Sequence, residues 1–191
     1  MEKELSSKES LALITEMINR AKKEAAGDGS FHLLLWGWVI AVCDLSHYGL
    51  AKAGFYAPYI VWLLVIPATI VSMIYSRKFA KEARVKTHLD TVLAELWLVV
   101  YLVIIALVAF MSVLDFNHNP VILLVSTIGV FITGALIRSK ALKYGAVVLA
   151  VGALIGFLLP VDDQYLVAGI AMILGYLVPG YYLKKSYREQ F

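Results

Sequence analysis

Charged residues are scarce in this chain. Asp, Glu, Lys and Arg together make up 16% of its 191 residues, while 61% are hydrophobic and the mean hydropathy is +0.78. A soluble domain carries about 25% charge and about 45–50% apolar residues, so too little polar surface is available to keep this chain dissolved. There is one cysteine, Cys43, which excludes an intrachain disulfide. Also missing are a phosphate-cradling glycine loop, an HExxH pair and any credible nucleophile–base–acid set, so an enzyme is not expected and no cofactor is implied. The first 30 residues are polar rather than basic, then apolar, then small, so no cleavable leader is expected.

What the sequence does hold is apolar runs of the length that a hydrocarbon core of about 30 Å asks of a helix. Between charged breaks they fall at roughly 32–51, 57–76, 91–113, 120–137, 141–160 and 164–183. The expected fold is therefore all-α: a polytopic bundle of six transmembrane helices. The basic residues are divided very unevenly between the connections. All of the 17 Lys and Arg except Lys52 lie in the N-terminal arm, in the loops after the second and fourth runs, or in the tail. Lys and Arg are retained on the cytoplasmic side, so both termini are expected there, and an even number of spans follows. The intervening loops are short and mildly acidic, with Asp115 in DFNHNP and Asp162 and Asp163 in PVDDQ. The expected organisation is an arm at 1–30, a six-helix membrane domain at 31–183 and a basic tail at 184–191.

The arm reads SSKESLALITEMINRAKKEAAG. Ser6 and Glu9 have capping-box spacing, Gly27 is a suitable stop, and Leu11, Ile14, Met17, Ile18, Ala21 and Ala25 recur as one apolar stripe. Two readings stay open. The helix either lies at the interface, with Arg20, Lys22 and Lys23 near anionic headgroups, or docks a cytoplasmic protein partner through residues 6–27. No nucleic acid is expected, since the net charge of +3 is explained by topology.

The segments ESLALITEMINRAKKE, LLLWGW and LVPGYYLKK resemble those of a group of small multispanning bacterial inner-membrane proteins of the Bacteroidetes type, whose motifs carry no established chemistry. The resemblance implies a helical membrane fold and genomic company with a helix-turn-helix regulator. It supplies no functional residues.

Polar groups within the apolar runs are the candidate site. AVCDLSHYGL places Asp44 and His47 three residues apart on one helix face, where a hydrogen-bonded pair is expected. Such an acid costs about 2.5–3.5 kcal/mol at mid-bilayer, so it faces protein or water. It is either a packed interhelical contact or a proton- or solute-handling site. A metal site of zinc type would add His118 or Asp115. Glu95, in DTVLAELWLVVYL, is the second intramembrane acid, expected to meet the indole of Trp36 or Trp38 or a basic side chain reaching in from the cytoplasmic loop, or else to serve transport or gating. Gly145, Gly152 and Gly156, with Gly175 on the sixth run, are expected to pack helices closely, as a tight hairpin of the last two spans or as a homo-oligomer face. Pro67 and Pro179 are expected to kink their helices. Function is then that of a non-catalytic sensing, binding or regulatory membrane protein, with a small-solute or proton-coupled transporter using Asp44, His47 and Glu95 as the alternative.

Overall fold

The computed structural model describes the backbone of residues 7–82 and 88–188, and the side chains of 10–11, 13, 15–17, 29–78 and 88–186. Among the described residues the regular structure is entirely helical, in the order α1 Ser7–Lys52, a 3-10 segment Pro58–Leu64 leading into α2 Val65–Glu82, α3 His88–Ala109, α4 His118–Leu136, α5 Lys140–Gly156, α6 Val161–Met172, a π-helical turn Ile173–Leu177 and α7 Val178–Arg188. Five stretches are long and apolar enough to cross a membrane: Gly29–Lys52, Pro58–Lys78, His88–Ala109, His118–Leu136 and Val161–Ser186. Helix α5, at 17 residues, is the shortest of the long apolar helices.

The first correction concerns Gly27. It does not stop the arm, because α1 runs unbroken from Ser7 to Lys52 over 46 residues. A glycine inside a helix costs only about 1 kcal/mol relative to alanine, too little to break a segment whose downstream part is anchored by packing. The helix ends instead at Gly54, whose φ of +72° permits a Schellman turn closed by Phe55 N–H donating to Leu50 O at 3.0 Å. Ser6, and with it the proposed capping box, lies outside the described residues. Of the apolar stripe, Leu11 and Met17 are 65% and 63% exposed.

The core is assembled around α5. Leu142, Ala146, Leu149 and Ala153 are fully buried at three- and four-residue spacing, one face of a helix. Against them pack Leu123 and Val130 of α4, Ala168, Ala171 and Met172 of α6, Tyr176, Leu183, and Leu33 and Ala41 of α1. Helices α2 and α3 flank this unit and, among the described residues, bury one apolar side chain each, Ala68 and Val100.

Small residues set the closest approaches. A Cβ on Gly152 would sit 2.6 Å from Ala171 Cβ, one on Gly145 would strike Gly175 O and lie 2.8 Å from Pro179 Cγ, and one on Gly175 would lie 2.8 Å from Gly145 O. The cause is Pro179: it has no N–H for the carbonyl four residues back, which is Gly175. The helix runs there as the π turn Ile173–Leu177, and the Gly175 carbonyl faces Gly145 so closely that only a residue without a Cβ fits opposite it. Gly156 faces another neighbour, with Pro120 Cγ of α4 3.1 Å from its would-be Cβ. At the start of α2, Pro67 likewise offers no N–H to the carbonyl four residues back, that of Leu63 in the 3-10 segment.

Candidate functional site

Two helix starts are brought together against α1. After α3, a turn with Asp115 and Phe116 in the left-handed region (φ 47° and 61°) reverses the chain, so His118 and Asn119 open α4. After α5, Pro160 stands in extended conformation as the N-cap of α6, and Asp162 and Asp163 fill the first turn, where carboxylates meet the positive end of the helix dipole. The carbonyl of Pro160 accepts from the N–H groups of Asp163 and Gln164 at 3.0 and 3.2 Å. Gln164 is thereby turned inward and is 1% exposed. Gly169 lets α6 approach α1 closely at this level: a Cβ there would lie 2.8 Å from Leu45 and 3.3 Å from Asp44 Cβ.

The result is a buried polar cluster. Asp44 is 1% exposed, and its Oδ1 accepts from Asn119 Nδ2 at 3.4 Å. His47 does not pair with Asp44, contrary to expectation. Its Nδ1 accepts from the Trp62 indole N–H at 3.0 Å, and its ring stacks on Tyr165 with centroids 3.8 Å apart. An indole can only donate, so Nδ1 carries the lone pair and the ring proton sits on Nε2. Trp62 is delivered by the 3-10 segment, whose Val61 carbonyl also accepts from Cys43 Sγ at 3.2 Å. Gln164 Nε2 donates to Asn117 Oδ1 at 2.7 Å and to Leu159 O at 3.2 Å. His118 stands edge-on to Tyr165 at 6.5 Å. At the rim, Lys52 meets Asp163 at 2.8 Å, which gives the one basic residue of this end an acidic partner.

Four buried side-chain atoms find no hydrogen-bond partner among the described residues, and three of them are here: Asp44 Oδ2, His118 Nδ1 and Gln164 Oε1. The fourth is Trp36 Nε1. An unmade hydrogen bond at a buried polar atom costs about 1–3 kcal/mol, so three in one cluster mark a place where stability has been given up.

The remaining candidates fall elsewhere. Glu95 is exposed on α3 and does not meet an indole: Trp38 Nε1 donates to Tyr181 Oη at 3.0 Å, and Trp36 Nε1 is the unpaired group already noted. Asp115 is exposed on its turn. Among the described residues no three His, Cys, Asp or Glu side chains converge as metal ligands, so Asp44, His47, His118 and Asp115 do not form the zinc-type set considered from sequence. A second polar contact was not anticipated: His32 lies between Ser72 Oγ and Ser76 Oγ, each 3.1 Å from a ring nitrogen, tying α1 to α2 near the arm. Serines at i and i+4 facing a histidine of similar depth were the available signal. Compared with known protein families, curated proteins and solved structures, the chain matches none.

Proposed function

We infer that the protein is a non-catalytic membrane sensor: the polar cluster receives a small polar signal, and α1 carries its state to the arm. The observation that carries this reading is the continuity of α1. One helix holds Asp44 and His47 at one end and the arm at the other. The 22 residues from Ser7 to Asp28 extend it by about 33 Å beyond the apolar stretch, which starts at Gly29, at 1.5 Å per residue. A rotation or shift of α1 at the cluster must therefore appear at the arm, where a cytoplasmic helix would dock on the exposed Leu11 and Met17.

The reading uses a six-span, inner-membrane topology with both termini cytoplasmic. The one-sided distribution of Lys and Arg supports it, and so does the path of α5. That helix starts beside Gly134 of α4, whose would-be Cβ lies 2.8 Å from Leu142, and finishes beside Pro120 at the other end of α4. It thus retraces α4 in the opposite direction, and its length of about 26 Å is close to a hydrocarbon core.

The test places a nitroxide at Met17→Cys in a Cys43→Ser background, in full-length protein in liposomes. Asp44→Asn should change the mobility of the arm label, and adding Gly27→Pro, which breaks the helix between them, should cancel that change. An arm indifferent to Asp44→Asn contradicts the reading. A transporter is the second reading, favoured by one feature: the irregular 3-10 backbone of Pro58–Leu64 beside a buried acid, since broken helices in membranes line solute sites. Solute or proton flux in the same liposomes, lost in Asp44→Asn while the arm label is unmoved, would select it.

A further inference from the structure

Helix α5 and the α6–α7 run are paired antiparallel almost step for step. Gly145 lies against Pro179, Leu149 against Gly175 and Gly152 against Ala171. Residues beside this seam are therefore matched in depth as well. On α5 the exposed residues Lys140, Tyr144, Val147 and Val151 recur at three- and four-residue spacing, roughly 130° round from the contact face. They point away from Lys143, which packs on Gly134 of α4. On the partner run Leu174, Val178, Tyr181 and Lys185 are exposed at the same spacing. They point away from Gly180, which faces Leu33 and Leu34 of α1. Helices α4 and α1 thus close one side of the seam, and both exposed stripes border the other.

Level by level the two stripes agree in chemistry. Lys140 and Lys185 share the end of the bundle that carries the tail, Tyr144 and Tyr181 follow one turn deeper, and the two levels beyond are aliphatic on both helices. Tyr181 is held at its level by the Trp38 indole, which donates to its Oη at 3.0 Å. Exposed Arg138 and Lys184 add positive charge at the same end, and no Asp or Glu occurs in α4, α5 or α7. Asp90 and Glu95 belong to α3, which packs on α4 through Gly129, a different face from the Gly134 used by α5. Charge, then aromatic ring, then hydrocarbon is the order met on passing from the headgroups into a bilayer. A symmetric dimer across the seam would set these lysines against their own copies, which disfavours a second chain as the occupant.

We propose that the seam of α5 and α7 binds an anionic phospholipid, its phosphate between Lys140 and Lys185 and an acyl chain along Val178, Val151 and Leu174. The lipid belongs to the leaflet on the side of the tail, at the opposite end of the bundle from Asp44. A lysine at the membrane surface is worth about fivefold in affinity for an anionic lipid, so the site selects anionic over zwitterionic headgroups.

The experiment reads lipid contact by fluorescence in full-length protein with Cys43→Ser and Val147→Cys, the latter labelled because it is the stripe residue farthest from the seam. The protein is reconstituted in phosphatidylcholine vesicles with a minor fraction of tail-brominated lipid, either phosphatidylglycerol or phosphatidylcholine. Bromine in the tail quenches only when a lipid is bound, so free phosphate gives no signal. Phosphatidylglycerol should quench with an apparent affinity at least about fivefold higher. Lys140→Gln together with Lys185→Gln should bring the two lipids level; both side chains are exposed, and an unchanged SDS-unfolding transition shows that the fold is kept. The same label at Leu98→Cys, exposed on α3, should not distinguish the lipids. Equal quenching at position 147, or a preference that survives the double substitution, overturns the site. A preference of the same size at position 98 replaces it with general attraction to the surface. Weak quenching by both lipids at position 147 means that a second copy covers the seam, which also overturns it.

Discussion

Replacing Gly145 by alanine tests the packing that holds the bundle together. Alanine is favoured over glycine inside a helix by up to about 1 kcal/mol, so without steric conflict the change should be neutral or stabilising. At Gly145 the conflict is severe: the added methyl meets Gly175 O and lies 2.8 Å from Pro179 Cγ. Neither is the end of a flexible side chain, so one helix must move. Overpacking of this kind costs about 1–3 kcal/mol, and offsetting the propensity gain leaves a net loss of about 2 kcal/mol or less. Gly152→Ala, with methyl against methyl at 2.6 Å from Ala171, should behave alike, and Gly156→Ala, 3.1 Å from Pro120, should fall between. Gly49→Ala is the control, since no atom lies within 4 Å of its would-be Cβ. Reversible unfolding by SDS in mixed micelles, followed by tryptophan fluorescence, gives the ranking. If Gly145→Ala and Gly152→Ala matched Gly49→Ala within about 0.5 kcal/mol, an ordinary scatter for surface changes, the account of the α5 contact with α6 and the π turn would be wrong.

Further outcomes are expected at single positions. Trp62→Phe removes the donor to His47 Nδ1 and should cost about 1–3 kcal/mol. Nitrogen NMR of His47 should show the Nε2–H tautomer in the wild type and a mixture in the variant; an unchanged spectrum would refute the assignment. Arg138 adopts a φ of 60° at the end of α4, where Ser139 N–H donates to Gly134 O at 2.9 Å in a Schellman turn. Arg138→Gly should therefore raise stability by up to about 1 kcal/mol, the penalty a side chain carries in that conformation, and a loss in SDS titration would contradict this.

Much of the helical order was legible because helices long and apolar enough to cross a membrane leave a simple trace: long apolar runs broken by charge. Each of the six runs matches a helix or helix group. The site was legible only in part. Asp44 and His47 were visible as polar residues in an apolar run, but spacing of three residues says only that two side chains can meet. It does not say that a tryptophan from a 3-10 segment takes the histidine first. That segment was itself foreshadowed by Pro67, whose missing N–H disturbs the turn before it. Gln164 opens the sixth run at 164–183, but as the last residue of the polar PVDDQ it was not singled out for the site. A proline followed by two acids is equally a helix start, and on that reading Gln164 lies in the first turn, able to face inward. Asn117 and Asn119 were passed over for the same reason. Glu95 misled in the opposite way: an acid in an apolar run near the end of a helix can simply face outward, as it does on α3.

The central claim requires the arm and the polar cluster to lie on opposite sides of one membrane, joined by α1. It is tested most directly by single cysteines at Leu11, Tyr56 and Lys184 in a Cys43→Ser background, labelled with an impermeant maleimide in intact cells and then in inverted vesicles. Tyr56, 88% exposed beside the cluster end of α1, should label in intact cells, whereas Leu11→Cys and Lys184→Cys should label only in inverted vesicles. Labelling of Leu11→Cys together with Tyr56→Cys in intact cells would place both ends of α1 on one side and contradict the account. Labelling of Lys184→Cys in intact cells would mean an odd number of spans.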